Sequence, residues 1–275
     1  KGQLYGPFRN LIEFSNEADL TKISEKKIKK IDGNSQTDFK IKIAFNNKKN
    51  FYQSKIKLKN VSYTFDDKNK FKNIYGEIFY ENNKFFTKKD KFINIDYNKT
   101  KFKFDLITNS KGDFVISGIK NIDISKYIKN ELVNKNIFGK TNIKYNIKFP
   151  NFNSKSSTIK VKLGSNLNGI LVSYPKPFFK EKNHEIPSNL SFQINNSKLQ
   201  NFKISYNNIF AELLNLENLV GYINFSGKES EIPDSNINLM GTINEFNLDE
   251  WKNLSPDNNI NYLSYVNNVD IFFKK

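Results

Sequence analysis

The chain has 275 residues, with 44 Lys and Arg against 28 Asp and Glu for a net charge of +16, no cysteine, and one histidine, one methionine and one tryptophan. The missing thiols exclude a disulfide framework, thiol catalysis and every cysteine-based zinc or iron–sulfur site, and a single histidine excludes a His-cluster metal centre. A hydrophobic fraction of 37% is low for an ordinary globular domain, yet 26 Phe and 13 Tyr are too many for a disordered chain, so a fold with a thin or one-sided core is expected. The charge carries less information than its size suggests. Arg9 is the sole arginine, and a dedicated nucleic-acid reader would rarely do without arginine's bidentate fork. Lys, Asn, Ile and Phe are the residues of AT-rich codons, so genome composition accounts for much of the lysine. The lysines still keep the surface soluble and can attract anionic lipid headgroups.

The chain opens at Lys1-Gly2-Gln3-Leu4-Tyr5 and stops at Ile271-Phe272-Phe273-Lys274-Lys275, inside what reads as a strand, so a piece of a longer polypeptide is expected. Residues 21–30 read as a long polar loop or weak helix. From there period two dominates. Phe39, Ile41, Ile43 and Phe45 alternate with Lys40, Lys42 and Ala44. Ile56 and Leu58 alternate with Lys55, Lys57 and Lys59, and Val61, Tyr63 and Phe65 resume after a one-residue slip at Asn60. Phe102 and Phe104 follow the same rule between Lys101, Lys103 and Asp105. A helix is predicted over 123–136, with Ile124, Tyr127, Ile128, Leu132 and Val133 at helical spacing, Asp123 or Ser125 as cap and Gly139 beyond. Ile143, Tyr145, Ile147 and Phe149 then alternate with Asn142, Lys144, Asn146 and Lys148, and Ile159, Val161 and Leu163 with Lys160 and Lys162. Asn247 to Leu254 reads as a single helical turn carrying Trp251. Each alternating run puts apolar side chains on one sheet face and lysines on the other. Short Asn-, Asp-, Gly- and Ser-rich connections between half-polar strands predict antiparallel pairing. No apolar run approaches the ~18–20 residues of a membrane-spanning helix.

Chemistry is sparse. His184 sits in a charged stretch before Pro187 and reads as a solvated loop residue rather than a general base with Glu185. The adjacent acids Asp66 and Asp67 read as turn formers. Nucleotide-binding, nucleophile-elbow and zinc-protease patterns do not occur. The aromatics of Tyr80-Glu81-Asn82-Asn83-Lys84-Phe85-Phe86 would suit base stacking, but they fit inward-facing strand residues better. No cofactor or metal is expected.

Residues 163–180 read Leu163-Gly164-Ser165-Asn166-Leu167-Asn168-Gly169-Ile170-Leu171-Val172-Ser173-Tyr174-Pro175-Lys176-Pro177-Phe178-Phe179-Lys180. Pro175 and Pro177 donate no ladder hydrogen bond, so a strand ending there leaves the sheet or lies at its edge. Gly169 marks a bulge or tight bend. The stretch resembles the "S-x-L-x-G-hydrophobic-x-hydrophobic-x-x-P-x-P-x-x-K" segment of the YhdP family, large AsmA-like proteins of diderm bacteria. Other parts are similar in order: Gly76-Glu77-Ile78-Phe79-Tyr80, the helix before Gly139 and its long strand, Gly221-Tyr222-Ile223-Asn224, Gly241-Thr242-Ile243, and Leu248-Asp249-Glu250-Trp251. Tyr174 departs from the family's leucine before the first proline.

The resemblance implies a mainly β fold: an elongated, curved antiparallel sheet forming a U-shaped groove, with one short inserted helix. It implies that residues 1–275 are one continuous groove segment of a longer periplasmic chain, tethered to the inner membrane through a segment not present here. The implied activity is non-enzymatic phospholipid transport between inner and outer membranes, with phospholipids and the two membranes as partners and nucleic acid not among them. Acyl chains would lie along an apolar stripe whose candidates are Ile143, Tyr145, Ile147, Phe149, Ile159, Val161, Leu163, Leu167, Ile170 and Val172. Two rivals remain: a basic β-protein binding nucleic acid or polysaccharide through exposed aromatics, and a purely structural β module. Aromatics and lysines sharing one exposed face would favour the first, and a closed two-layer core the second.

Overall fold

The computed structural model describes residues 1–17, 30–42, 51–64, 70–81, 84–97, 100–128, 130–150, 158–195, 198–215, 219–252 and 266–273. The chain is mainly β, as expected, and divides into two compact units, Lys1–Ile119 with Asn146–Ser157, and Lys120–Tyr145 with Thr158–Lys275. The expected polar segment at 21–29 and the Asp66-Asp67 pair lie outside the described residues.

The first unit holds β1 (Gly2–Pro7), α1 (Phe8–Glu17), β2 (Ile31–Lys42), β3 (Phe51–Thr64), β4 (Lys70–Glu81), β5 (Lys84–Phe86), β6 (Ile93–Tyr97), β7 (Thr100–Thr108) and the start of β8 (Phe114–Asp123). Pairing is antiparallel throughout. Register fixes one apolar face. Ser54, Ile56 and Leu58 of β3 stand opposite Tyr80, Ile78 and Gly76 of β4, while Ile93 and Ile95 of β6 stand opposite Phe104 and Phe102 of β7. The reverse face carries Lys55 and Lys57, with Lys55 paired to Glu77 at 2.8 Å. The slip expected at Asn60 is a bulge: Asn60 has φ 55°, and the β3–β4 register breaks between Leu58 and Val61. Asn73, with φ 51°, does the same between Phe71 and Ile74 of β4. Asparagine tolerates the left-handed conformation, and one extra residue returns the next apolar side chain to the same face.

The second unit holds the end of β8, a 3₁₀ turn at Ile124–Lys126, α2 (Glu131–Asn136), β9 (Ile137–Phe149) as far as Tyr145, β10 (Ile159–Ser165), β11 (Ile170–Val172), β12 (Ser188–Asn195), β13 (Lys198–Tyr206), β14 (Ile209–Asn215), β15 (Gly221–Asn224), β16 (Ile237–Ile243), α3 (Leu248–Lys252) and β17 (Val266–Phe273). The helix expected over 123–136 is confined to its last six residues. Its cap is Asn130, whose side chain accepts from the Val133 amide at 3.2 Å, whereas Asp123 is still in β8 and accepts from the Ser125 hydroxyl at 2.6 Å. Two pairings also differ from the antiparallel expectation, because β15–β16 and β16–β17 are parallel. Parallel neighbours need a crossover. The first one places Ser230 against Asn224 at 2.9 Å on the lysine-bearing side of the sheet, where Tyr222 is fully buried.

Candidate functional site

In the second unit the apolar residues of successive strands meet across the ladder. Ile159, Val161 and Leu163 of β10 stand opposite Ile194, Phe192 and Leu190 of β12. Leu190 stands opposite Ile204 of β13, and Ile204 opposite Ala211 of β14. Ala211 meets Ile223 of β15, which meets Leu239 of β16, which meets Val269 of β17. Phe192 and Phe202 stack at 5.8 Å. The reverse face of the same strands carries Lys160, Lys162 and Lys203, the last paired with Glu212 at 2.9 Å. This apolar face is partly open: Val161, Ile209 and Ala211 are buried, but Ile204 remains 39% exposed, Leu199 44% and Val269 58%. A sheet face covered by a second layer would not leave such side chains in water.

The residues singled out from sequence fall into three groups. Ile159, Val161 and Leu163 lie on this face. Thr141 and Ser165 bring their hydroxyls to 3.1 Å between the neighbouring strands β9 and β10, so Ile143 and Tyr145, which share the parity of Thr141, join the same face. Ile147 and Phe149 continue the alternation of β9 and are half-buried in the first unit. The third group is set apart. Leu167 is in a turn with φ 53°, and Ile170 and Val172 are only 1% and 6% exposed under the loop that follows β11. Sequence reasoning did not select Leu190, Phe192, Phe202 or Ile204. The alternation at 190–194 was available to it, but Leu199, Phe202 and Ile204 are put out of phase by Asn201, a left-handed residue with φ 53°.

The loop after β11 is a built joint. The Lys176–Pro177 peptide is cis. The Lys176 carbonyl accepts from the Trp251 indole N–H at 3.1 Å, and the Trp251 ring stacks on Tyr174 at 6.3 Å and meets Phe178 edge-on at 5.8 Å. Lys176 also pairs with Glu245. Lys180 is 1% exposed, and its ammonium donates to the carbonyls of Ile170 at 2.8 Å and Glu181 at 2.9 Å. Burial lowers its pKa, which Glu185 opposes by favouring the charged form. Tyr206, at the end of β13, donates to the Phe178 carbonyl at 2.7 Å, and burial pushes its pKa up to about 12. Gly139 of β9 and Gly169 make the close approach beneath this loop possible. Gly139 has φ +124°, and a Cβ there would collide with the Gly169 carbonyl.

His184 is exposed, and Glu185 accepts from Asn168 at 2.9 Å. The aromatics at 80–86 pack on neighbouring strands: Tyr80 on Phe85 at 4.8 Å, Phe79 on Phe86 at 5.8 Å. Among the described residues no acidic, histidine or cysteine cluster could hold a metal ion, and no helix is long and apolar enough to cross a membrane. A family model described as YhdP protein matches residues 1–271. No curated protein and no solved structure matches the chain.

Proposed function

The chain belongs to the YhdP family, AsmA-like cell-envelope proteins of lipid transport rather than enzymes, and from that membership we propose that it conducts phospholipids between the inner and outer membranes. Acyl chains would run along an apolar trough while headgroups stay in water. The chain would act as one groove segment of a longer periplasmic protein, anchored to the inner membrane outside these residues. The path would include Ile143, Tyr145, Ile147, Phe149, Ile159, Val161 and Leu163, together with Leu190, Phe202 and Ile204.

One observation carries this reading: apolar residues stand in register from β10 to β17 on a face that is left partly in water. Each methylene that leaves water for such a face gains about 0.8 kcal/mol. A chain that slides along it exchanges one apolar neighbour for another, so the free energy stays nearly level and no reacting group is needed. Organic extraction of the purified protein, followed by mass spectrometry, should recover phospholipid. Protein that is lipid-free, and that takes up no labelled phospholipid from vesicles, would overturn the proposal.

A further inference from the structure

The first unit carries a feature that a bare sliding surface does not need. Helix α1 packs on β1 and β2, and its Ile12 is 8% exposed. Between α1 and the apolar face lies a cleft of about 90 Å³, walled by Leu11 and Phe14 of the helix and by Phe39, Ile56, Tyr80 and Phe85 of the sheet. A second cleft of about 150 Å³, which Leu4, Leu11 and Ser35 also line, adjoins the helix. Thr37 lines both. It stands opposite Leu4 and Ile56 in the ladder, is 4% exposed, and its hydroxyl finds no hydrogen-bond partner among the described residues. A buried hydroxyl without a partner costs stability that valine in its place would not, so the position calls for an acceptor from outside the fold.

We infer that α1 clamps one acyl chain of a phospholipid against this sheet, with the Thr37 hydroxyl donating to the ester carbonyl of that chain. The inference rests on the lipid-transport reading and adds to it a dwell site with a polar contact. The walls fix the class of occupant. They are apolar apart from a few strand positions, which suits methylenes. Among the described residues that line these clefts the buried unpaired group is the Thr37 hydroxyl, and an acyl ester supplies an acceptor without bringing N–H groups that would themselves need partners. Phe14 and Ile41, 49% and 46% exposed, stand at the cleft, where an entering chain would cover them. The volume admits a short run of methylenes rather than a whole lipid, so the lipid is held at one point while the rest of it remains outside the cleft.

The test is photo-crosslinking of the full-length protein with phosphatidylethanolamine that carries a diazirine in one acyl chain, alongside its diether counterpart, which lacks the carbonyl. Adducts are expected on peptides spanning Phe8–Glu17 and Phe39–Ile41, with the ester favoured over the ether by roughly three- to tenfold, the worth of one hydrogen bond. Thr37→Val should abolish that preference without lowering the thermal midpoint, and Thr37→Ser should keep it. Adducts confined to β10–β14 overturn the clamp and leave the transport reading standing, whereas no adduct anywhere overturns both. An ester preference that survives Thr37→Val overturns the role of the hydroxyl. A dimer by light scattering whose α1 peptides take no adduct assigns the cleft to a second copy, which also overturns the inference.

Discussion

Replacing Ile204 by aspartate separates an open lipid-bearing face from a sealed core. Ile204 lies centrally on the apolar face of the second unit, between Leu190 and Ala211, and is 39% exposed. Full burial of an isoleucine side chain is worth about 1.5–3 kcal/mol; scaled to the part hidden here, the loss on Ile204→Asp is about 1–2 kcal/mol. That is a minor fraction of the ~5–15 kcal/mol that holds a typical domain together, and water reaches the new carboxylate when no lipid is bound, so the protein should remain folded. During transport an acyl chain crossing position 204 strips that water away. The effective cost of desolvating one ion is several kcal/mol. Taking ~3 kcal/mol of it as added barrier gives a slowing of about 100-fold.

The assay is transfer of a fluorescent phospholipid between donor and acceptor vesicles, with abundance and urea unfolding measured in parallel. The control is Lys162→Asp, an exposed position on the reverse face of β10. Lys148, on β9 in the first unit, is unsuitable because it pairs with Asp113 at 2.7 Å. Ile204→Asp protein that is folded and fully active refutes this face as the path. A loss of more than about 5 kcal/mol, enough to unfold a marginal domain, refutes its openness.

Other outcomes follow from the joint beneath Pro175. Lys180→Met leaves the Ile170 and Glu181 carbonyls without their donor and should cost about 2 kcal/mol in urea unfolding at neutral pH. Because the folded pKa of Lys180 is lowered, the unfolded chain keeps that proton longer, so this group adds stability as pH rises towards the usual lysine value; Lys180→Met should remove that rise. Tyr206 has the opposite sign: its folded pKa of about 12 exceeds the ordinary tyrosine value of about 10, so its contribution is complete below pH 10 and is lost between pH 10 and 12, a loss Tyr206→Phe should eliminate. Gly139→Ala forces a Cβ against the Gly169 carbonyl at φ +124° and should destabilise by more than about 2 kcal/mol, read by the fluorescence of Trp251, the sole tryptophan.

Sequence reached the face through strands that keep strict period two, such as 141–149 and 159–163, and through the slip at Asn60. It missed β13 because the bulge at Asn201 puts Leu199 and Phe202 three residues apart, a helical interval that breaks the period of a strand. Cross-strand partners such as Leu190 and Ile204 were beyond its reach, since only pairing register brings them together. Helix α1 gave little signal: its first turn has no acidic residue and its last turn no basic one. The parallel pairs at β15–β17 depend on crossovers whose course short half-polar strands do not encode.

The Pro-Lys-Pro segment, on which the resemblance read from sequence rests most, and the face proposed to carry lipid are different structures. Pro175–Lys180 and Trp251, 75 residues from Lys176, make one joint, in which an indole N–H and a tyrosine hydroxyl each serve one carbonyl and a buried ammonium serves two. Loss of the Lys180 donor leaves the buried Ile170 carbonyl unpaired. The apolar face demands only hydrophobic side chains of suitable size in register, which isoleucine and phenylalanine meet as well as leucine and valine do. A chain rich in Lys, Asn, Ile and Phe can therefore keep an apolar surface in register. At Asn60, Asn73 and Asn201 the left-handed backbone that asparagine tolerates holds the alternating face in phase.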